Sequence, residues 1–458
     1  MKRVLVLAYF FPPLGGGGCQ RTLKLVRYLE PLGWRSAVVT TRDTDYWILD
    51  PTLEEEIPEC TEIVRVAGLT GGRLLRTLAR AGIPVQEAQE SRRAGPLRAL
   101  RSIQRFLLLP DAYRSWAHAA ERAADAWVRE AAPDALWTTS SPESAHLAGL
   151  ALKRKHNLPW VADFRDPWVG RVTYRPPTPW HDARHRDMER RVVSVADRVS
   201  LVSEAMVALY RKRYPRIDPA RFIFLPNGFD SDDWRLADQL IAERAGDVVD
   251  AASATATDED RAGSTRRFVL LHAGQLAHRP TVRTLLEAAR RVMAWEPGAR
   301  EELRLRFIGG NEEIGPRERE RYGLGEALEF LPSQPHIQSL ASMRGAGALL
   351  LLGHGGAADS LLYTGKLYEY LSSGRPVLAI VDEGPAAELV RSSGAGLVIR
   401  PGDVEGVERA LLAWLAAARA GGIEPTRAPQ ALLDAWERRN LAAHASKILA
   451  EITSPKAR

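Results

Sequence analysis

Cysteine is nearly absent: the 458-residue chain carries only Cys19 and Cys60. Two thiols cannot build a disulfide framework, so the fold must rest on buried apolar cores, and a reducing cytoplasm is the default setting. Long apolar runs are missing as well. No window reaches the roughly 18–20 uncharged apolar residues that a bilayer-spanning helix needs, so any membrane contact is expected to be peripheral. The sharpest short signatures also fail. There is no H-E-x-x-H for a zinc hydrolase. G-x-G-x-x-G fits in no register, because its sixth position falls on Gln20 or Arg21. A Walker A loop is excluded by Ser360 at its first glycine and by Leu367 after the lysine. No recognised nucleic-acid-binding motif occurs, so nucleic acid is not an expected partner.

What remains is an ordinary globular composition, with 45% apolar and 26% charged residues. At about 150 residues per domain the length suggests three units, and two large α/β domains fit equally well. The net charge is +6 and the isoelectric point about 9.4. That surplus suits either an anionic partner, such as a nucleotide phosphate or an acidic lipid, or a basic surface spread over a large protein.

The opening Met1-Lys2-Arg3 followed by apolar Val4 to Phe11 has the outline of a signal peptide. The run ends in Pro12-Pro13 and a glycine cluster without a small-residue cleavage site, so it reads as a buried first strand. Gly15 to Gly18 follow, then a helical apolar pattern at Leu23, Val26, Leu29 and Leu32, a C-cap glycine at Gly33, and a second strand at Ser36 to Thr40. Strand, glycine loop, helix and strand open a doubly wound parallel sheet. Later strands are expected at 135–138, 160–164, 198–202 and 222–225, and a second series at 268–272, 303–308, 348–352, 377–381 and 396–399. Residues 246–267 lack any apolar period and read as a mobile surface loop. One final helix is expected over 429–452. The class is therefore α/β, with two Rossmann-like lobes and a ligand cleft between them.

Several residues sit where such a fold does chemistry. The Gly15 to Gly18 run joins a strand to a helix whose free N–H groups attract phosphate; a purely architectural turn is the alternative, and four glycines exceed its needs. Lys366 and Glu369 lie three apart and share a helix face, where a lysine can neutralise diphosphate while a carboxylate accepts from ribose hydroxyls. Asp163, Arg165 and Asp166 end a buried strand, the edge where α/β sheets place ligands.

Read together, the words Phe11-Pro12-Pro13, the glycine run with Arg21, Leu32-Gly33-Trp34, Thr138 to Pro142, Leu158 to Trp168, Pro110-Asp111 with Trp116, Ala196 to Ser203, Leu225 to Asp230 and Gly365 to Pro376 resemble glycosyltransferase family 4. The subgroup they resemble is one associated with bacterial surface polysaccharide. The resemblance implies the GT-B fold and a retaining transfer from a nucleoside-diphosphate sugar to an acceptor hydroxyl, in polysaccharide, glycoconjugate or natural-product synthesis. It implies an acceptor lobe at 1–215, a donor lobe at 216–426, and a C-terminal helix at 427–458 that returns to the first lobe. It gives Glu369 the ribose, and leaves Gly16, Gly17, Gly18, Gly274, Gln275, Arg279, Lys366 and Leu367 to contact the donor. Arg21, Asp163, Arg165 and Asp166 would position the acceptor, with Asp166, Arg279 and Lys366 closest to the reaction. No cofactor or metal is expected beyond the nucleotide sugar. The acceptor would be a glycan, a lipid-linked sugar or a small molecule, in the cytoplasm or at the inner membrane face.

The chain departs from that family at three places. Leu361 stands where a second glutamate is usual, with Asp359, Gly353, Gly355 and Gly356 nearby; Gln275 replaces an arginine; and Arg165 replaces a histidine. An arginine cannot act as a general base, and the retaining precedent passes the acceptor proton to a donor phosphate oxygen, so no protein base is required. A nucleotide-sugar epimerase or hydrolase on the same fold, or a silent binding protein, are the alternatives. Among weaker signals, Asp43-Thr44-Asp45 spells a common D-x-D, and His181 and His185 read as surface histidines. The stretch from Arg92 through Arg93, Arg98, Arg101 and Arg105 to Leu109 reads as a core-facing helix with a basic outer face, with an anionic membrane as the alternative.

Overall fold

Val4, Leu5, Val6 and Leu7 are wholly buried and alternate between two apolar clusters, Val4 and Val6 on one face and Leu5 and Leu7 on the other. A strand apolar on both faces belongs in the middle of a sheet covered by helices on both sides, and that is where it lies. The computed structural model describes residues 1–43, 48–68, 106–171, 174–252, 267–274, 276, 281–309, 320–356 and 365–454. The chain divides into two units, Met1–Pro226 with Arg438–Arg458, and Asn227–Glu437.

Unit 1 contains β1 (Lys2–Leu7), β2 (Trp34–Thr41), β3 (Glu62–Val66), β4 (Ala135–Ser140), β5 (Trp160–Phe164), β6 (Arg198–Leu201) and β7 (Phe222–Phe224), all parallel, in the order β3-β2-β1-β4-β5-β6-β7. The order reverses between β1 and β4, so the loops leaving those two strands form the switch point where such sheets receive ligands. Its helices include α1 (Gly17–Leu29), α2 (Arg114–Ala131), α3 (Ser144–His156), α4 (Pro179–Val195) and α5 (Glu204–Arg213). β7 pairs with β6 and buries Phe222, so the expected boundary at 215 moves to Pro226.

Unit 2 repeats the arrangement with β8 (Phe268–Ala273), β9 (Leu303–Ile308), β10 (Leu328–Leu331), β11 (Ala348–Leu352), β12 (Val377–Ile380) and β13 (Gly396–Ile399). Its order is β10-β9-β8-β11-β12-β13, again all parallel and reversing between β8 and β11. The helices that matter for the site are α6 (Ser231–Ala252), α7 (Val282–Trp295), α8 (His336–Gly345) and α9 (Gly365–Ser372).

Two sequence expectations change. The first part of the presumed surface loop, 246–252, is the last stretch of α6, while 253–266 lie outside the described residues. The single terminal helix is two, Gln430–Trp436 in unit 2 and Arg438–Ile452 in unit 1, separated by extended Glu437. The second helix inserts Ala445, Ile448, Leu449 and Ile452 into the cluster under β1. Each of its larger side chains contributes roughly 1.5–3 kcal/mol by burial. Trp34 Nε1 donates to Ser446 Oγ at 3.1 Å and Lys2 Nζ to Thr453 Oγ1 at 2.8 Å, closing the attachment.

Candidate functional site

In unit 1 the glycine run separates into distinct roles. Gly16 precedes α1 with φ +91°, a left-handed conformation that L side chains rarely adopt. A Cβ on Gly15 would overlap Ile48, and one on Gly18 would overlap the Arg165 guanidinium. Gly17, exposed at the first turn of α1, would meet nothing. Packing and backbone conformation therefore explain Gly15, Gly16 and Gly18, while nothing in the packing demands a glycine at Gly17.

Arg165 is spent on the loops around it. Its Nε donates to the Ser140 carbonyl, its Nη2 to the Ser141 carbonyl at 2.8 Å, and its Cζ lies 5.8 Å from the centre of the Phe10 ring. Asp163 is spent as well. Its carboxylate, 1% exposed, takes Arg21 Nη2 at 2.7 Å and Ser200 Oγ at 2.6 Å on one oxygen, and Arg21 Nε and Thr139 Oγ, both at 2.9 Å, on the other. Burial alone would raise this carboxyl; Arg21 and the two hydroxyls outweigh it and hold it below the usual carboxylate range. Arg21 also donates to the Pro226 and Leu225 carbonyls at 2.7 and 2.9 Å. Asp163 and Arg21 thus fix strand ends and are not disposed toward acceptor hydroxyls, which corrects the expectation.

Asp166 is half-buried on the loop after β5. That loop is pinned where Val169 N donates to Glu189 at 2.9 Å and Trp168 Nε1 to His185 Nδ1 at 3.1 Å. Burial, then Arg171, lowers His185 to about 4, which leaves its Nδ1 free to accept. His181 is buried rather than on the surface, its nitrogens taken by Thr178 Oγ1 at 2.7 Å and the Phe106 carbonyl at 3.0 Å. Both histidines are engaged in hydrogen bonds within unit 1.

Sequence reasoning missed Glu143 and Arg171. Glu143 follows β4 with a side chain 5% exposed, and Arg171 Nη1 donates to it. Burial pushes the Glu143 carboxyl up to about 7; Arg171 opposes this, while Asp111 and Asp166 add to it. Only burial distinguishes Glu143 from any surface glutamate, and no spacing announces that.

In unit 2, β8 ends in Gly274, whose φ is +121° and whose N–H donates to the Ile308 carbonyl at 2.7 Å. A Cβ there would overlap the Lys366 ammonium, which rests over this glycine. α9 buries Leu367, Tyr368, Tyr370 and Leu371 and leaves Lys366 and Glu369 on its half-buried side. Tyr370 OH accepts from Ala273 N at 2.8 Å, tying the helix to the end of β8. His272 lies against Lys366, Nε2 to Nζ 3.5 Å, and its Nδ1 is 2.9 Å from the Leu350 carbonyl. A carbonyl only accepts, so Nδ1 carries the proton and Nε2 presents its lone pair to the lysine. Glu369 faces His336, 3.8 Å from Nε2, and Asp233 lies 3.4 Å from the same nitrogen. Neither His336 nor Asp233 had a sequence signal.

Leu367 is 0% exposed and cannot reach a ligand with its side chain. Gln275, Arg279, Asp359, Leu361, Thr44, Asp45 and the basic stretch through Arg105 lie outside the described residues. The structure thus brings Gly274, Lys366 and Glu369 together in unit 2, and Gly18, Arg21, Asp163 and Arg165 in unit 1.

Residues 16–228 match the glycosyl transferase 4-like domain, and residues 267–417 match the glycosyl transferases group 1 domain. The chain belongs to this glycosyltransferase family. A D-inositol 3-phosphate glycosyltransferase of Geodermatophilus obscurus is 28% identical over 236 residues, 49% of this chain and 47% of that protein, so the match spans about half of the relative. The sucrose-phosphate synthase of Thermosynechococcus elongatus superposes with a TM-score of 0.63 over 99% of both chains at 15% identity. A glycosyltransferase from Rickettsia africae gives 0.60 over 99% of both chains at 12% identity. At such identities the likeness is one of fold, and the fold of this chain is GT-B.

Proposed function

We propose that the chain is a retaining glycosyltransferase that moves a sugar from a nucleoside-diphosphate donor held by unit 2 to an acceptor hydroxyl served by unit 1. The observation that carries this reading is the Lys366 ammonium resting over Gly274 with Glu369 one turn along the same helix. A cation at a glycine-bared strand end suits a diphosphate, and a carboxylate beside it suits ribose hydroxyls.

As the glycosidic bond breaks, negative charge collects on the leaving diphosphate and positive charge on the sugar. Lys366, held by the neutral His272, is preorganised to stabilise that developing charge, usually the largest catalytic contribution. Retention follows if the acceptor attacks from the face of the leaving group and a donor phosphate oxygen takes its proton. Neither a protein base nor a metal is then required. The setting proposed is surface polysaccharide, glycoconjugate or natural-product synthesis in the cytoplasm or at the inner membrane face. Among the described residues, no helix is long and apolar enough to cross a membrane.

The test is a thermal-shift panel of UDP-, GDP-, ADP- and dTDP-sugars, followed by NMR of the product's anomeric configuration from the donor that stabilises the protein. Stabilisation by one nucleotide class and an unchanged anomeric configuration are expected. An inverted product removes the retaining mechanism, and stabilisation by none of the four removes the donor assignment.

A further inference from the structure

Arg171 and Arg21 are both guanidinium groups at the carboxyl edge of the unit 1 sheet, and they differ in one respect. Arg21 grips Asp163 side-on with Nε and Nη2, at 2.9 and 2.7 Å. Arg171 is held through Nη1 alone, by Glu143 and by Ser141 Oγ at 3.4 Å. Among the described residues its Nε is buried without a hydrogen-bond partner, and Nη2 has none either. The idle pair is the same side-on edge that Arg21 uses, the edge that matches two oxygens of a carboxylate or phosphate.

The surroundings fix that edge. Glu143 reaches Arg171 from the loop after β4, and Asp111 lies behind it, accepting from Ser144 N, Ser144 Oγ and Tyr113 N at 2.9 Å each. Glu143 and Asp111 are the buried carboxyls on which the Arg171 charge acts. A buried donor left idle costs about 1–3 kcal/mol, so an unmatched Nε in an otherwise bonded cluster marks a place for an oxygen that the chain does not supply. The loops involved leave β4 and β5 beside the switch point, and Asp166 lies on the same loop as Arg165 and Arg171.

We propose that Arg171 is the anion receptor of unit 1, and that the acceptor carries a phosphate or carboxylate group close to the hydroxyl that is glycosylated. The proposal rests on the acceptor role given above to unit 1. Glu143 acts through Arg171 and is a positioning residue.

The probes are three compounds on one carbon skeleton: glycerol 3-phosphate, glycerate and glycerol. Their affinities for the full chain are measured by titration calorimetry at fixed ionic strength. Glycerol 3-phosphate, glycerate or both are expected to bind at least tenfold more tightly than glycerol, and the ranking of the two anions tells phosphate from carboxylate. Arg171→Gln is expected to lose that advantage and Arg171→Lys, which keeps the charge beside Glu143, to recover part of it, with a cooperative melting transition showing that each variant is folded. Lys366→Ala, which removes the cation of unit 2, should leave the advantage in place. Equal anion affinity in parent and Arg171→Gln overturns the proposal, as does absence of anion binding by the parent, or loss of it in Lys366→Ala alone. Failure of every nucleotide sugar to bind, with the Arg171-dependent advantage intact, would instead overturn the donor reading and leave the anion receptor standing.

Discussion

Arg21 and Asp163, 142 positions apart, close a two-pronged ion pair at 2.7 and 2.9 Å in which the carboxylate is 1% exposed. With Thr139 and Ser200 on the same carboxylate, this pair ties α1 to β4, β5 and β6. Removing one partner of a buried pair leaves the other charge uncompensated, at about 3–5 kcal/mol. Asp163→Ala is therefore expected to destabilise unit 1 by that amount in denaturant unfolding. The acid response follows from the lowered carboxyl. Its contribution is fully present above the unfolded carboxylate range and is lost as pH falls through the still lower folded value. Acid titrations of parent and variant should converge only at a pH below the usual carboxylate range.

The glycine run gives a sharper contrast. Gly18→Ala forces its methyl into the Arg165 guanidinium, which is itself bonded to the Ser140 and Ser141 carbonyls and cannot step aside freely. It is expected to lower stability by about 1–3 kcal/mol, the usual range for overpacking. Gly17→Ala meets nothing and replaces a glycine at a helix start, so its melting temperature should hold or rise slightly. If backbone N–H groups at Gly17 serve a ligand, its transfer rate should drop while its stability does not. Measuring both quantities in both variants separates a packing glycine from a ligand glycine.

Strands wholly buried on both faces were legible because apolar continuity leaves them nowhere else to go: 160–164 and 348–352 read off the chain with the bounds they have in the fold. The bounds of 303–308 and 396–399 were legible too, although Arg306 is half-buried and Leu397 is exposed. β3 was not legible, since Glu62 to Val66 alternates charge with apolar residues and every position is half-buried at a sheet edge. Lys366 and Glu369 were legible because three-residue spacing alone puts them on one helix face. Glu143, Arg171, Asp233 and His336 were not. Their importance comes from burial and from partners on other segments, and nothing local distinguishes a charged residue that tertiary packing will bury.

Glu143 supplies a pH signature of its own. Its carboxyl is pushed up to about 7 from an ordinary value near 4.5, burial being the largest cause. The folded chain then holds a proton that the unfolded chain releases, so this contribution is complete below about pH 4.5 and disappears as pH climbs through about 7. Glu143→Gln removes the titration while keeping the side-chain shape. The melting temperature of the parent should fall more steeply than that of the variant between pH 5 and pH 8. Parallel curves would show that the Glu143 carboxyl titrates elsewhere.

Lys366 and Glu369 should fail differently when replaced, because one is assigned to charge that develops during the reaction and the other to a group present throughout. A carboxylate hydrogen-bonded to ribose binds ground state and transition state alike, and a charge-assisted bond is worth about 1.5–3 kcal/mol. Glu369→Ala is thus expected to raise the KM for donor about tenfold or more, with kcat at saturating donor little changed. Lys366→Met removes a cation whose partner gains charge only as the glycosidic bond breaks. It should lower kcat by about 10²–10³, the loss seen when one preorganised donor to a developing anion is deleted, with a smaller change in KM. Gly274→Ala reaches the same ammonium from below, since its methyl would occupy the space where Nζ sits. It should resemble Lys366→Met in kcat while the lysine is still present. If Glu369→Ala lost kcat and Lys366→Met lost only affinity, the two roles would have to be exchanged.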